Sequence, residues 1–241
     1  MSEVLRTIGL QIGYKGQALM PPIDAVLHDG EAVALVGANG SGKTTLFKTL
    51  TGHLKPIGGQ VTLLGKPLAD YNHNERAKHF SLVLTEKPDD LFLKVFDIVA
   101  AGRYPHLGLT ARLRDEDLEM IKVKLQITGV YHLIDRDFVS LSDGEKQKVM
   151  IAKALVQDTP IIYMDEPTAF LDYPSKVELI LLIDRLAKEE HKTILYSSHD
   201  LELLMKHAST MWVVAKEKPL LSGAPKELDH EIESYLNIHK Q

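Results

Sequence analysis

Along this chain the apolar positions fall into short unbroken runs that end on glycines or acids, alternating with longer stretches of helical period. The run AVALV (32–36) leads into glycines, and TLFKTLT (45–51) follows with a helical pattern. A buried strand feeding a helix through a glycine loop is the βα unit of a parallel sheet. IIYM (161–164) and TILYSS (193–198) read as two more buried strands, with a helix through VELILLIDRLAKEE starting near Pro174 between them. FSLVLT (80–85) is a further β-prone run, which stops on Glu86 and turns at Pro88. Residues 2–14 and 59–64 read as antiparallel strands flanking the first βα unit. Between 88 and 157 the period changes. DEDLEMIKVKLQ (115–126) and EKQKVMIAKALVQ (145–157) are amphipathic helices with little strand signal between them. The pattern predicts one α/β body over 1–241, with a core of roughly 1–87 and 158–241 and a helical insertion at roughly 88–157.

Composition narrows the function classes. The 241 residues suit one large α/β domain, and 44% hydrophobic with 25% charged residues is ordinary for a soluble globular protein. A net charge of −5 without a basic block argues against a nucleic-acid partner. There is no cysteine, which excludes disulfides, thiolate metal sites and cysteine nucleophiles. The opening MSEVLRTIGLQIGY lacks the basic stretch and long apolar core of a signal peptide. Apolar runs such as LILLI (179–183) fall far short of the about 20 residues a membrane span requires. The expectation is a cytoplasmic protein that reaches a membrane only through another subunit.

The chemistry is concentrated at GANGSGKT, Gly37 to Thr44, which matches G-x-x-x-x-G-K-[ST] in full. Glycines such as Gly37, Gly40 and Gly42 let the backbone wrap closely, so that its N–H groups, with those of Asn39, Ser41 and Thr45, point at phosphate oxygens. The following helix adds its positive end. Lys43 sets a point charge against the β- and γ-phosphates, and the Thr44 hydroxyl can ligate Mg²⁺. In IIYMDE, Asp165 is placed to hold Mg²⁺ through water and Glu166 to polarise a water attacking the γ-phosphate.

LSDGEKQ, Leu141 to Gln147, resembles the LSGGQ-x-Q signature that opens a helix in ABC-type ATPases. With that resemblance the remaining pieces follow the family's order over almost the whole chain. It implies a RecA-like parallel-sheet core, an N-terminal antiparallel β subdomain and an inserted α-helical signature subdomain. Tyr14 stands where the family stacks an aromatic on adenine. FLD (170–172) is similar to the D-loop, with Asp172 its acid, and His199 in SSHD to the switch histidine at the γ-phosphate. Ser142 and Gly144 match the signature positions that meet the γ-phosphate across a dimer, and Glu145 stands in the fifth signature position. The resemblance implies a head-to-tail homodimer sandwiching ATP.

Three positions depart from the family pattern. Asp143 replaces glycine and Glu145 replaces glutamine in the signature, adding negative charge that Lys146 and Lys148 are placed to oppose. Glu86 occupies the place of a glutamine whose amide oxygen touches Mg²⁺ and the attacking water. A carboxylate there can ligate the metal but cannot donate a hydrogen bond when ionised.

LFLKVFDIVAAGRYPHLG (91–108) and SGAPKEL (222–228) are similar to segments of the ATPase subunits of iron–siderophore, haem and cobalamin importers. The first implies a docking region near 86–108 for an integral-membrane permease, which would act with an external substrate-binding protein. The alternative is a non-transport ABC ATPase of DNA repair or translation. The first of these needs a long coiled coil before the signature, and the second usually two motif sets.

Overall fold

A six-stranded sheet forms the centre of the chain. In order across it run Leu221–Gly223, Thr210–Val213, Ala32–Val36, Thr193–Ser198, Ile161–Met164 and Phe80–Val83. All neighbours are parallel except the edge strand Leu221–Gly223. The computed structural model describes residues 2–85, 93–107 and 112–236.

The continuous apolar runs follow from burial on both faces. Along the Ala32–Val36 strand, Ala32, Ala34 and Val36 join one hydrophobic cluster, while Val33 and Leu35 join another. The first cluster takes in Val95, Ile98, Ile121, Leu125, Val149 and Ile151, so the helices Val95–Ala100, Asp115–Ile127 and Asp143–Val156 are packed into the core that covers one sheet face. The second joins Leu46, Phe47 and Leu50 of the helix Lys43–Leu50 to an antiparallel sheet. In that sheet Glu3–Gln11 pairs with both Gly58–Leu63 and Ile23–His28. The mixed α/β architecture is the one the apolar pattern predicts.

Some boundaries differ, and capping explains two of them. The helix expected from 145 begins at Asp143, because Ser142 is its N-cap. The long helix near Pro174 spans Tyr173–Glu189, with Asp172 accepting a hydrogen bond from Ser175 N at 2.9 Å. The run FSLVLT keeps sheet pairing only to Val83, and beyond it the Thr85 hydroxyl donates to Asp165 O at 2.8 Å. Glu86 lies outside the described residues.

Gly102 and Arg103 fix the helical part. A Cβ on Gly102 would stand 2.4 Å from Lys153 O, so only glycine permits this approach of the two backbones. Arg103 is buried; its Nε donates to Asp117 Oδ1 at 2.8 Å and its Nη1 to Val156 O at 3.1 Å. The Arg103 of the GRYP segment therefore points into the protein, while Tyr104 beside it is exposed.

Candidate functional site

The three adjacent parallel strands Ala32–Val36, Thr193–Ser198 and Ile161–Met164 deliver the phosphate loop, His199 and the Asp165–Glu166 pair to one edge, beyond their carboxyl ends. This is where open α/β sheets place ligands. A cleft of about 500 Å³ opens there, lined by Tyr14, Asn39, Gly40, Gly42 to Thr45, Thr85, Asp165 and Glu166. That volume lies within the range of small-molecule sites.

The helix Lys43–Leu50 starts at Gly42, whose φ of 104° a side chain would resist, and no side chain caps it. Its first N–H groups therefore lack intrahelical acceptors and form an anion-seeking end. Lys43 Nζ donates to Gly37 O at 2.7 Å and lies 3.8 Å from Glu166 Oε1. The buried Ser41 hydroxyl has no hydrogen-bond partner among the described residues. Tyr14, 50% exposed, has its hydroxyl 3.3 Å from Thr45 Oγ1, leaving its ring at the cleft wall.

Glu166 holds a left-handed backbone, φ 46°, uncommon for a residue with a Cβ. Its two oxygens serve different partners: Oε1 faces Lys43, and Oε2 lies 2.9 Å from His199 Nδ1. Ser197 ties the pair of acids together. Its hydroxyl donates to Asp165 Oδ1 at 2.7 Å and accepts from Glu166 N at 2.7 Å. Nothing in the sequence motifs singled out Ser197. The available signal was a small hydroxyl residue next to last in a buried strand, two positions before His199.

The signature residues stand elsewhere in the chain. Ser142, Gly144 and Glu145 line a separate cleft of about 140 Å³ with Leu171 and Ser175. Glu145 is bound into its own helix start. Its Oε2 accepts from Ser142 N at 2.8 Å and from the Ser142 hydroxyl at 2.9 Å, and its N–H donates to Ser142 Oγ at 3.3 Å. The backbone N–H of Ser142, then its hydroxyl, hold the Glu145 carboxyl below its ordinary value. Lys148 pairs with Glu178 at 2.7 Å and Lys146 lies 5.9 Å over the Phe138 ring, so both lysines are engaged away from Glu145. Asp172 caps its helix, and the Ser175 side chain and backbone N–H depress its carboxyl below the usual range. Phe170 next to it is 81% exposed.

A phosphate loop on a parallel sheet, facing two acids and a histidine, defines a nucleotide-binding P-loop protein. The pattern of the family "ABC transporter" matches residues 21–169. The ferric enterobactin transport ATP-binding protein of Escherichia coli is 35% identical over 224 residues, covering 93% of this chain and 83% of that protein. The iron(3+)-hydroxamate import ATP-binding protein of Bacillus subtilis is 34% identical over 224 residues, with 93% and 83% covered. Among solved structures, cbiO1 from Clostridium perfringens, part of the ABC transporter complex cbiONQ, superposes with a TM-score of 0.86 at 29% identity, covering 97% of this chain and 93% of that one. A nucleotide-free ATP-binding cassette from an ABC transporter shares the fold at 23% identity, with a TM-score of 0.84 and 99% and 100% covered. The chain belongs to the ABC transporter family as an ATP-hydrolysing subunit.

Proposed function

We propose that this chain energises an importer of a metal chelate, of the iron–siderophore, haem or cobalamin class, through an integral-membrane permease. The names of the E. coli and B. subtilis relatives support the class of cargo. The observation that carries the catalytic part is the convergence of Lys43 and His199 on the two oxygens of Glu166.

ATP would lie with its base against Tyr14 and its phosphates over the N–H groups of 39–45. The Lys43 ammonium would exchange its loop carbonyl for phosphate oxygens. Thr44 and Asp165 offer hard oxygen donors and would hold Mg²⁺. Mg²⁺ keeps several waters and is usually held by one or two carboxylates together with substrate phosphates. Bound there, the ion supplies positive charge that offsets the phosphates. Glu166 accepts the proton of the attacking water, and His199 fixes the orientation of its carboxylate. Glu86 is proposed as a further metal-directed acid.

Because Ser142 and Gly144 open on a different cleft from Lys43, a head-to-tail homodimer is the simplest way to bring them to the γ-phosphate of a neighbouring copy. Asp172 and the exposed Phe170 then fall at the subunit interface. The chain is proposed as a single ABC domain, with residues of about 88–157 its helical subdomain. No helix among the described residues is long and apolar enough to cross a membrane. We place the subunit on the cytoplasmic face, held by the permease near 86–108. The exposed Leu93 and Tyr104, and a cleft of about 240 Å³ lined by His53, Arg76, Phe80 and Lys153, support docking there. The external binding protein would act through the permease.

Glu166→Gln tests the catalytic reading. Turnover should fall at least about 100-fold while ATP binding persists, because the base is lost and the phosphate cradle is kept. An unchanged hydrolysis rate would sink it. Affinity capture from detergent-solubilised membranes tests the transport reading: recovery of ribosomes or DNA without a permease would overturn it.

A further inference from the structure

We propose that Glu145 is a brake on ATP-driven pairing: it holds the proton of the Ser142 hydroxyl, which must be released before Ser142 can donate to a phosphate. This rests on the head-to-tail reading above. An ionised carboxylate only accepts hydrogen bonds, so across the 2.9 Å contact with Glu145 Oε2 the Ser142 hydroxyl is necessarily the donor. The same hydroxyl oxygen accepts from Glu145 N, and Glu145 Oε2 accepts from Ser142 N. The reciprocal set is a capping box, and it takes up the only hydroxyl proton that Ser142 has.

Charge decides why this acts as a brake. A hydrogen bond to a carboxylate is about twice as strong as one to a neutral amide. Moving the Ser142 proton from Glu145 to a phosphate exchanges one anionic acceptor for another, so the gain on pairing is small. Glutamine at this position offers the same cap through its side-chain oxygen, yet holds the hydroxyl less tightly. The ionised form of Glu145 is maintained by Ser142 and, more weakly, by the nearby Arg136 guanidinium.

The test measures dimer formation against ATP concentration by sizing-column light scattering, in chains carrying Glu166→Gln to suppress turnover. Adding Glu145→Gln should lower the ATP needed for half-maximal pairing about tenfold, the scale separating charge-assisted from neutral hydrogen bonds. With Ser142→Ala also present, that shift should shrink to less than about twofold, because the two residues act as one unit. The proposal is overturned if Glu145→Gln leaves the midpoint unmoved, or if the shift survives undiminished with Ser142→Ala, which would assign it to phosphate repulsion alone. It is also overturned if Glu145→Gln lowers the nucleotide-free melting temperature and weakens pairing together, since Glu145 would then be a helix cap only. Absence of any ATP-dependent dimer in the Glu166→Gln parent would instead overturn the head-to-tail reading, and this proposal with it.

Discussion

Ser197 is the least conspicuous of the residues around Glu166. Its hydroxyl orients Asp165 by donating to it and, by accepting from Glu166 N, helps to hold the left-handed turn that aims Glu166 between Lys43 and His199. If Asp165 holds Mg²⁺ as proposed, Ser197→Ala should reduce kcat about tenfold and raise the Mg²⁺ concentration needed for turnover, as loss of a supporting hydrogen bond to a ligand usually does. Titrating the metal against ATPase rate checks both effects, and an unchanged Mg²⁺ midpoint would remove Ser197 from the site. The phosphate loop was legible in the sequence because the backbone geometry demands fixed residue types at fixed spacing. Ser197 was not, because a serine near a strand end has no such spacing, and only the register of Thr193–Ser198 beside Ile161–Met164 brings it to Asp165. The bond between Ser142 and Glu145 lay between these cases. The pattern S-x-x-E is a known helix start, but only the folded contact shows that the Ser142 hydroxyl donates to Glu145.

Among the elements, the helical part depends on one buried ion pair. Arg103 and Asp117 have side-chain exposures of 8% and 1%, and the pair joins the GRYP segment to the start of the helix Asp115–Ile127. Asp117→Asn leaves the Arg103 charge without its partner and should destabilise the fold by about 3 kcal/mol. The Arg114 backbone N–H, and then the Arg103 side chain, depress the Asp117 carboxyl below its ordinary 3.8. Its folded value is thus lower than its unfolded value. The stabilisation is complete above about pH 4 and is lost as pH falls through the folded value. Melting curves should show a wide gap between the native chain and Asp117→Asn at pH 7 that narrows below pH 4; a gap independent of pH would reject the ion pair as its cause. The helix itself was legible from its apolar period. Arg103 was not assigned to the interior, because an arginine beside an exposed tyrosine gives no sequence sign of which way it points. The strand Ile23–His28 also went unread, although Ile23, Ala25 and Leu27 alternate with Asp24 and Val26 as in a half-buried strand.

Across the fold, the decisive arrangement is separation. The phosphate loop and the signature open on different clefts, so a single chain does not bring Ser142 to Lys43's ligand. Order along the sequence could name both motifs, but only the folded positions show that they line separate clefts. The chain has no cysteine, which makes the pairing directly testable. Two preparations carrying Glu166→Gln, one with Asn39→Cys and the other with Ser142→Cys, are mixed under mild oxidation with and without ATP. A disulfide requires Cα atoms within about 7 Å, so a mixed dimer forms only if one copy's phosphate loop meets the other's signature. The expected result is a cross-linked band in the mixture with ATP and little in either preparation alone. Equal yields without nucleotide, or cross-links confined to like chains, would point to a different interface and leave Ser142 and Gly144 without a phosphate to bind.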